Sequence, residues 1–434
     1  MAFLGMVSTD DWEDNIRPED WTAHLFREYP NGGMFNEGAI PLTGFSALMA
    51  NSKVTKDKKF HWWNKTLAAQ STSITAGEIY TDVGMGSAVS ATDTAAGTVL
   101  YLKVPLAFAQ ECVPGYKIVL FDESDDRAWM SALILDVELN GANSKLTIRT
   151  LKADTGQASY CMKTCDYVWI AGSAFAEGSS MPESMHYDPT EYWNVTTIQK
   201  NVIEQTRTAK NTEQRTEDDW QEDIREQGEL HAIGLEWDAI FGVRSSNTGG
   251  TAKELRTSQG VLDFIDTYSP SANRDDYRRN SNYTGMTWEQ GGADWLASFL
   301  VEFAVWGPSE VFALCGNLVM KSVYDLAMFL GWTQIAPHSV DFGIEVTTWE
   351  TPFGVLHFKP HPLFMRQPGL KRACLIGHPK NMIKRYIEGA NTVFKEKLNT
   401  PDIDADKAGW LSEIGWQFTM PKQWAFLNGF GADA

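Results

Sequence analysis

Cysteine, basic charge and long apolar runs are all scarce in this sequence, and each shortage removes a class of protein. Five cysteines, Cys112, Cys161, Cys165, Cys315 and Cys374, are spread over 434 residues. An odd number so thinly placed does not make a disulfide scaffold, so reduced and mostly buried thiols are expected. Cys161 and Cys165 stand four apart, but no second Cys or His pair follows at metal-ligand spacing, and no metal is expected. The most apolar windows, Phe299 to Val305 and Leu326 to Trp332, fall well short of the roughly 18 residues of a membrane span, so no membrane association is expected. The chain opens Met1-Ala2-Phe3-Leu4-Gly5 and runs into Asp10, Asp11, Glu13 and Asp14 without a basic stretch, which predicts neither signal nor transit peptide and use in a cytoplasm.

Lysine and arginine number 37 against 56 Asp and Glu, a formal charge of −19 with His neutral. A grip on nucleic acid needs a concentrated basic surface to release counterions, so it is excluded as the main role. Local catalytic signatures are missing as well: there is no Walker loop, no Gly-x-Ser-x-Gly, no His-Glu-x-x-His and no Rossmann fingerprint. His357 and His361 flank Lys359, which disfavours a cation, and read as structural; His231 reads as packed or hydrogen-bonded. So many carboxylates leave an acid pair of glycosidase type open, especially beside many tryptophans, but nothing singles out two of them. Neither a catalytic residue nor a cofactor is assigned.

Aromatic surface, by contrast, is plentiful: 17 Trp and 22 Phe, within 43% hydrophobic and 12% aromatic content. Such a chain folds, with roughly two or three domains' worth of length. Core, interface and sugar-stacking surfaces all use aromatics, so composition leaves the three open.

Along the chain the hydrophobic period changes. Residues 1–60 are acidic and broken by Pro18, Pro30, Gly32, Gly33, Pro41 and Gly44, and read as an extended arm. From about 75 to 167 the period is two. Leu133, Leu135, Val137 and Leu139 alternate with Ile134, Asp136, Glu138 and Asn140, and Leu146 and Ile148 resume after a turn, which predicts a hairpin in a small all-β module.

Thr216 with Asp219 resembles a capping box, and Trp220, Ile224, Gly228, His231 and Leu235 then fall on one stripe, predicting a long helix over 217–241 that ends at Gly242. Its other face carries Glu217, Asp218, Asp219, Glu222, Asp223, Glu226, Glu229, Glu236 and Asp238, read as solvated or as a surface for basic loops of another subunit. A polar connector over 243–290 holds Arg274, Tyr277, Arg278, Arg279 and Tyr283, which suit an intersubunit loop with Arg and Tyr anchors better than nucleic-acid stacking in so acidic a chain. Two helices, marked by Leu296 to Phe303 and by Val319 to Leu330, a hairpin around Pro352 and Gly354, and strand-like residues from Lys407 to Phe426 complete a mixed α/β last third.

The stretch Ala174-Phe175-Ala176-Glu177-Gly178-Ser179-Ser180-Met181-Pro182-Glu183-Ser184, followed by Tyr192 to Glu204 and the long helix, resembles the major capsid proteins of tailed bacteriophages, which share the HK-97-like fold. In that family Glu-Gly-x-x-x-Pro-Glu leads out of an extended hairpin, the E-loop, into a strand and a long spine helix; the matching positions are Glu177, Gly178, Pro182 and Glu183. The resemblance implies an α+β fold: an N-terminal arm at 1–60, an E-loop region at 61–74 and 168–200, and an inserted β module at 75–167. A peripheral domain at 201–291 and 393–434 would carry the spine at 217–241, and 292–392 would form the axial domain. It also implies self-assembly into hexamers and pentamers of an icosahedral head that encloses DNA without specific binding. Portal and scaffold proteins and a decoration or cement protein would be partners, and assembly would occur in the host cytoplasm.

Interface candidates on this view are Glu177, Pro182, Glu183, Trp193, Trp220, Trp237, Arg274, Arg278 and Arg279, with Trp62, Trp63, Trp416 and Trp424 as further tryptophan anchors. The acidity would suit a wall that does not adsorb packed DNA. A β-rich carbohydrate hydrolase and another virion protein, of decoration or tail type, are the alternatives.

Overall fold

Burial that alternates along strands builds a unit over residues 65–190. In Val99–Val104 the side chains of Leu100, Leu102 and Val104 are buried and the intervening ones are not, as expected of a sheet with one covered face. Seven strands join in the order Ser71–Ser73, Tyr167–Ser173, Tyr116–Phe121, Trp129–Glu138, Ser144–Thr150, Val99–Val104 and Ile79–Tyr80, every pairing antiparallel. Ile118, Leu120, Ile134, Leu146 and Ile148 fill the core with Phe108 of the short helix Leu106–Gln110. The computed structural model describes residues 45, 51–68, 70–90, 95–212, 219–247, 254–308, 310–329, 336–341, 344–352, 354–399, 401 and 403–433.

The predicted hairpin is present, but its phase changes half-way. Met130, Ala132 and Ile134 are buried, whereas Leu133 and Leu135 are half-buried and Leu139 is exposed. The register shifts between Ile134, opposite Ile148, and Asp136, opposite Thr147. One extra residue, Leu135, therefore bulges out and hands the inward phase to Val137, opposite buried Leu146. This unit also reaches beyond the 75–167 span, because Ser71–Ser73 and Tyr167–Ser173, allotted to an E-loop, are strands of its sheet.

The second unit comprises residues 1–64 and 191–434. In it Ala405–Phe418 pairs along one edge with Thr197–Thr206 and along the other with Val393–Lys395 and Met382–Ile387. Asn51–Thr55 adds in parallel to Met382–Ile387, so the end of the expected arm is sheet. A second sheet, of seven strands, runs in the order Arg274–Asp276, Ala425–Asn428, Cys374–Gly377, Glu310–Cys315, Gly354–Pro360, Ile344–Thr351 and Ala336–Asp341. The hairpin expected around Pro352 and Gly354 is its pair Ile344–Thr351 and Gly354–Pro360.

Both faces of this sheet are covered. Phe312, Leu314, Leu375 and Phe426 pack with Trp416, Trp424 and Phe264, while Val311, Ala313, Cys315, Cys374 and Ile376 pack against the helices Trp288–Ala304 and Asn317–Phe329. The last third does not stay in one sheet: Ala405–Phe418 serves the first and Ala425–Asn428 the second. The connector read over 243–290 includes the helix Val261–Tyr268, and its Tyr277 and Tyr283 are core residues.

If the inward phase is as described, Ile134→Ala should destabilise the 65–190 unit by about 2–5 kcal/mol, and Leu139→Ala by no more than ~0.5 kcal/mol. Urea unfolding of the two variants, followed by hydrogen exchange on Val99–Val104, measures the difference.

Candidate functional site

The long helix spans Asp219–Phe241; Glu217, Asp218 and the proposed cap Thr216 lie outside the described residues. It lies on the first sheet because its stripe carries small or hydrogen-bonding residues where the sheet comes close. A Cβ on Gly228 would stand 3.2 Å from the Trp410 ring, whose Nε1 donates to the Ile224 carbonyl at 3.0 Å. Further on, Gln199 Nε2 donates to the His231 carbonyl at 3.3 Å. His231 is buried, with Nδ1 2.8 Å from Asn201 Oδ1 and Nε2 2.7 Å from Ser412 Oγ, so a neutral ring with one donor and one acceptor fits. Ser412 Oγ in turn stands 2.9 Å from Thr392 Oγ1. Burial, and secondarily the Lys384 charge, lower the His231 pKa to about 4.

The acidic face is not uniformly solvated, which corrects the simplest reading of its charge run. Glu236 has no exposed surface; its Oε1 accepts from His361 Nε2 at 2.7 Å and from the Phe45 backbone N–H. A carboxylate so deep is tolerated only with donors on it. Asp238 accepts from Trp416 Nε1 at 3.0 Å, and burial raises its pKa to about 6 against that hydrogen bond. Asn194, which sequence reasoning passed over, is fully buried: its Nδ2 faces the Trp416 carbonyl at 2.6 Å and its Oδ1 accepts from the Gln259 N–H at 2.9 Å. An amide at an inward position of an aromatic strand was the available signal.

Of the candidates named from sequence, Glu177, Pro182 and Glu183 lie on an exposed, extended stretch over 174–189, where Met181 is 93% exposed. Phe175 anchors its start, with its ring over Gly115, whose φ of +95° and lack of a Cβ permit the approach. Trp193, on Thr190–Val195, is held between cations: Lys59 Nζ is 4.0 Å from its ring centroid and the Arg244 guanidinium 3.9 Å. Trp220 and Trp237 are half-buried on the helix; Lys210 stands 5.8 Å from the first ring and Phe241 5.4 Å from the second.

The Arg274 cluster divides. Arg274 pairs with Asp266, Arg278 pairs with Asp276 at 2.6 Å, and Arg279 is exposed without an ion pair among the described residues. Tyr277 and Tyr283 are buried in the core, where Tyr277 packs edge-on against Trp288 and Trp295. Trp62, Trp416 and Trp424 are likewise buried in the subunit's own core and are not surface anchors; Trp63 is 60% exposed. All five cysteines are buried, and burial pushes the Cys112 and Cys165 thiols up to about 12.

The model of the SU10 major capsid protein family matches residues 35–431. The chain belongs to that family. It is similar to the major capsid protein of Pseudomonas phage PaMx41, at 26% identity over 377 residues, which cover 80% of this chain and 88% of the relative. Among solved structures it is similar to the SrpI encapsulin of Synechococcus elongatus PCC 7942, with TM-score 0.39, 13% identity, and 57% of this chain and 76% of that one covered. Mycobacterium phage Bobi gives TM-score 0.39 and 8% identity, over 60% of this chain and 81% of that one. The protein is thus a major capsid protein, a structural subunit of the virion shell and not an enzyme, with an α+β fold.

Two outcomes follow from the buried groups. Glu236→Ala strips the acceptor from His361 and from the Phe45 amide, and should cost about 3–5 kcal/mol in thermal unfolding of the subunit. His231 and Asp238 act oppositely on pH. A base depressed from 6.5 to about 4 contributes stability above 6.5 that is lost as pH falls towards 4. An acid raised from 3.8 to about 6 contributes stability below 3.8 that is lost as pH rises towards 6. Asp238→Asn should therefore make the subunit more acid-sensitive than the parent between pH 6.5 and 4, and His231→Gln less so, each by up to about 3 kcal/mol. Unfolding midpoints across that range, compared with the parent's, report both slopes.

Proposed function

We propose that this subunit builds hexamers and pentamers that close an icosahedral head around the phage genome, and that the stretch over 174–189 works as the E-loop, reaching onto an adjacent subunit. The observation that carries this reading is the exposure of that stretch. Glu177, Gly178, Met181, Pro182 and Glu183 are all exposed, and only Met185 and Tyr187 are half-buried. A segment that buries so little in its own chain is free to make its contacts elsewhere, and copies of a shell subunit provide them.

In this reading the long helix and the sheet around Ala405–Phe418 form the peripheral domain. The seven-stranded sheet with Trp288–Ala304 and Asn317–Phe329 forms the axial domain, and the sheet of the 65–190 unit is the insertion. Portal and scaffold proteins and a decoration protein are the partners, and assembly takes place in the host cytoplasm. The formal charge of −19 leaves the wall poorly suited to adsorbing DNA, so the genome is enclosed without specific binding.

Electron microscopy of the overexpressed protein tests the assembly directly: closed shells or hexameric tiles are expected, and discrete monomers at high concentration contradict it. Deleting residues 176–186 should leave a folded subunit, by circular dichroism, that forms no closed shells. A deletion variant assembling normally removes the assigned role of the segment.

A further inference from the structure

Resting on the reading of 174–189 as an intersubunit segment, we infer that this acidic, Met-bearing segment docks on the basic aromatic face of the ribbon formed by Lys59–Asn64 and Thr190–Val195 in a second copy of the chain. The ribbon pairs two strands and has one inward face, where Phe60 and Trp62 stack at 5.9 Å and Trp62 and Tyr192 at 6.2 Å. Its outward face carries Lys59, His61 and Trp63, alternating with buried Phe60, Trp62 and Asn64. Trp193 and Arg244 extend this face through the Lys59–Trp193–Arg244 stack, and Arg244 is fixed there by donating Nη1 to the Trp193 carbonyl at 2.8 Å.

Two features mark the face as unfinished. The other exposed tryptophans among the described residues are each roofed by a cation, Trp129 by Lys152 at 3.9 Å and Trp306 by Lys422 at 3.6 Å. Trp63 has no such cover among the described residues. The ribbon also follows a turn with Lys53, Lys56 and Lys58 close in sequence, in a chain of charge −19. One pair on the face is already satisfied, His61 Nδ1 with Glu191 Oε1 at 2.5 Å.

The segment over 174–189 has the complementary chemistry. It contains the carboxylates Glu177, Glu183 and Asp188 with no lysine or arginine. Its most exposed large side chain, Met181, is polarizable and unbranched, a type that packs favourably on an indole. Opposite charges at the ends then set the register while Met181 covers Trp63. The contact is heterologous, so it links copies in series and suits a ring.

Met181→Cys combined with Trp63→Cys tests the pairing in assembled particles, against a background of native cysteines that are all buried. Mild oxidation should give a ladder of covalent oligomers larger than dimers on a denaturing gel, whereas either single variant should give none beyond dimers. Particles without a ladder overturn the docking and leave the shell assignment standing; absence of particles from the parent chain overturns both. As a variant independent of cysteine, Lys59→Glu should lower particle yield roughly tenfold or more, and Glu183→Lys added to it should restore most of the loss. A Lys59→Glu subunit that assembles at the parent's yield, or a folded one that Glu183→Lys fails to rescue, also contradicts the docking.

Discussion

The second unit is organised around one carboxylate that is fully buried. Glu236 sits on the inner side of the long helix, and its donors come from chain positions 45 and 361, far from it in sequence. A buried carboxylate stripped of its donors is costly, so the seating of the helix is coupled to both segments. The helix is therefore not a strut laid on a finished sheet. Through Glu236 it ties Phe45, within the expected arm, to His361, which follows Gly354–Pro360.

The same helix carries His231 and Asp238, whose pKa values move in the directions that keep both neutral forms favoured. Over mildly acid pH their linked contributions run against each other, so the parent subunit is buffered where either group alone would impose a slope. Such compensation within two helical turns lets one face be polar without making the fold a pH sensor. Beside it, Asn194 Nδ2 donates to Ser258 Oγ and the Trp416 carbonyl, and the Trp416 N–H donates to Ser258 Oγ, bonds among groups that do not titrate.

Periods of two and 3.6 were legible along much of the chain, which is why the long helix, the hairpins and the helices at 288–304 and 317–329 stand near where the pattern puts them. Phase and partnership were not. Leu135 reverses the inward face by bulging, an event that depends on the opposing strand and leaves no mark in the apolar count. Glu236 looked like one more member of an acidic run, because what distinguishes it, two donors from distant segments, is invisible to local spacing. The Glu177 to Glu183 motif carried the family, and residues 35–431 matching the SU10 major capsid protein model agree with it.

The aromatic surplus was expected to belong partly to neighbouring copies, and the structure moves part of it inward for a geometric reason. A sheet covered on one face needs one core, but the seven-stranded sheet of the second unit separates two, with Phe312 and Phe426 on one side and Trp288, Trp295 and Phe430 on the other. Trp416 and Trp424 fill the space between that sheet's first face and the strands beside the long helix, where smaller side chains would leave cavities. Among the described residues Trp62, Trp288, Trp295, Trp416 and Trp424 are thereby accounted for by the subunit's own cores. The indoles that reach the surface are mostly paired with lysine or arginine, which shields the ring while keeping its face available for exchange with another partner. Lys59, Lys152, Arg244 and Lys422 thus take aromatic partners within the subunit, so part of its cationic surface is already engaged by indoles.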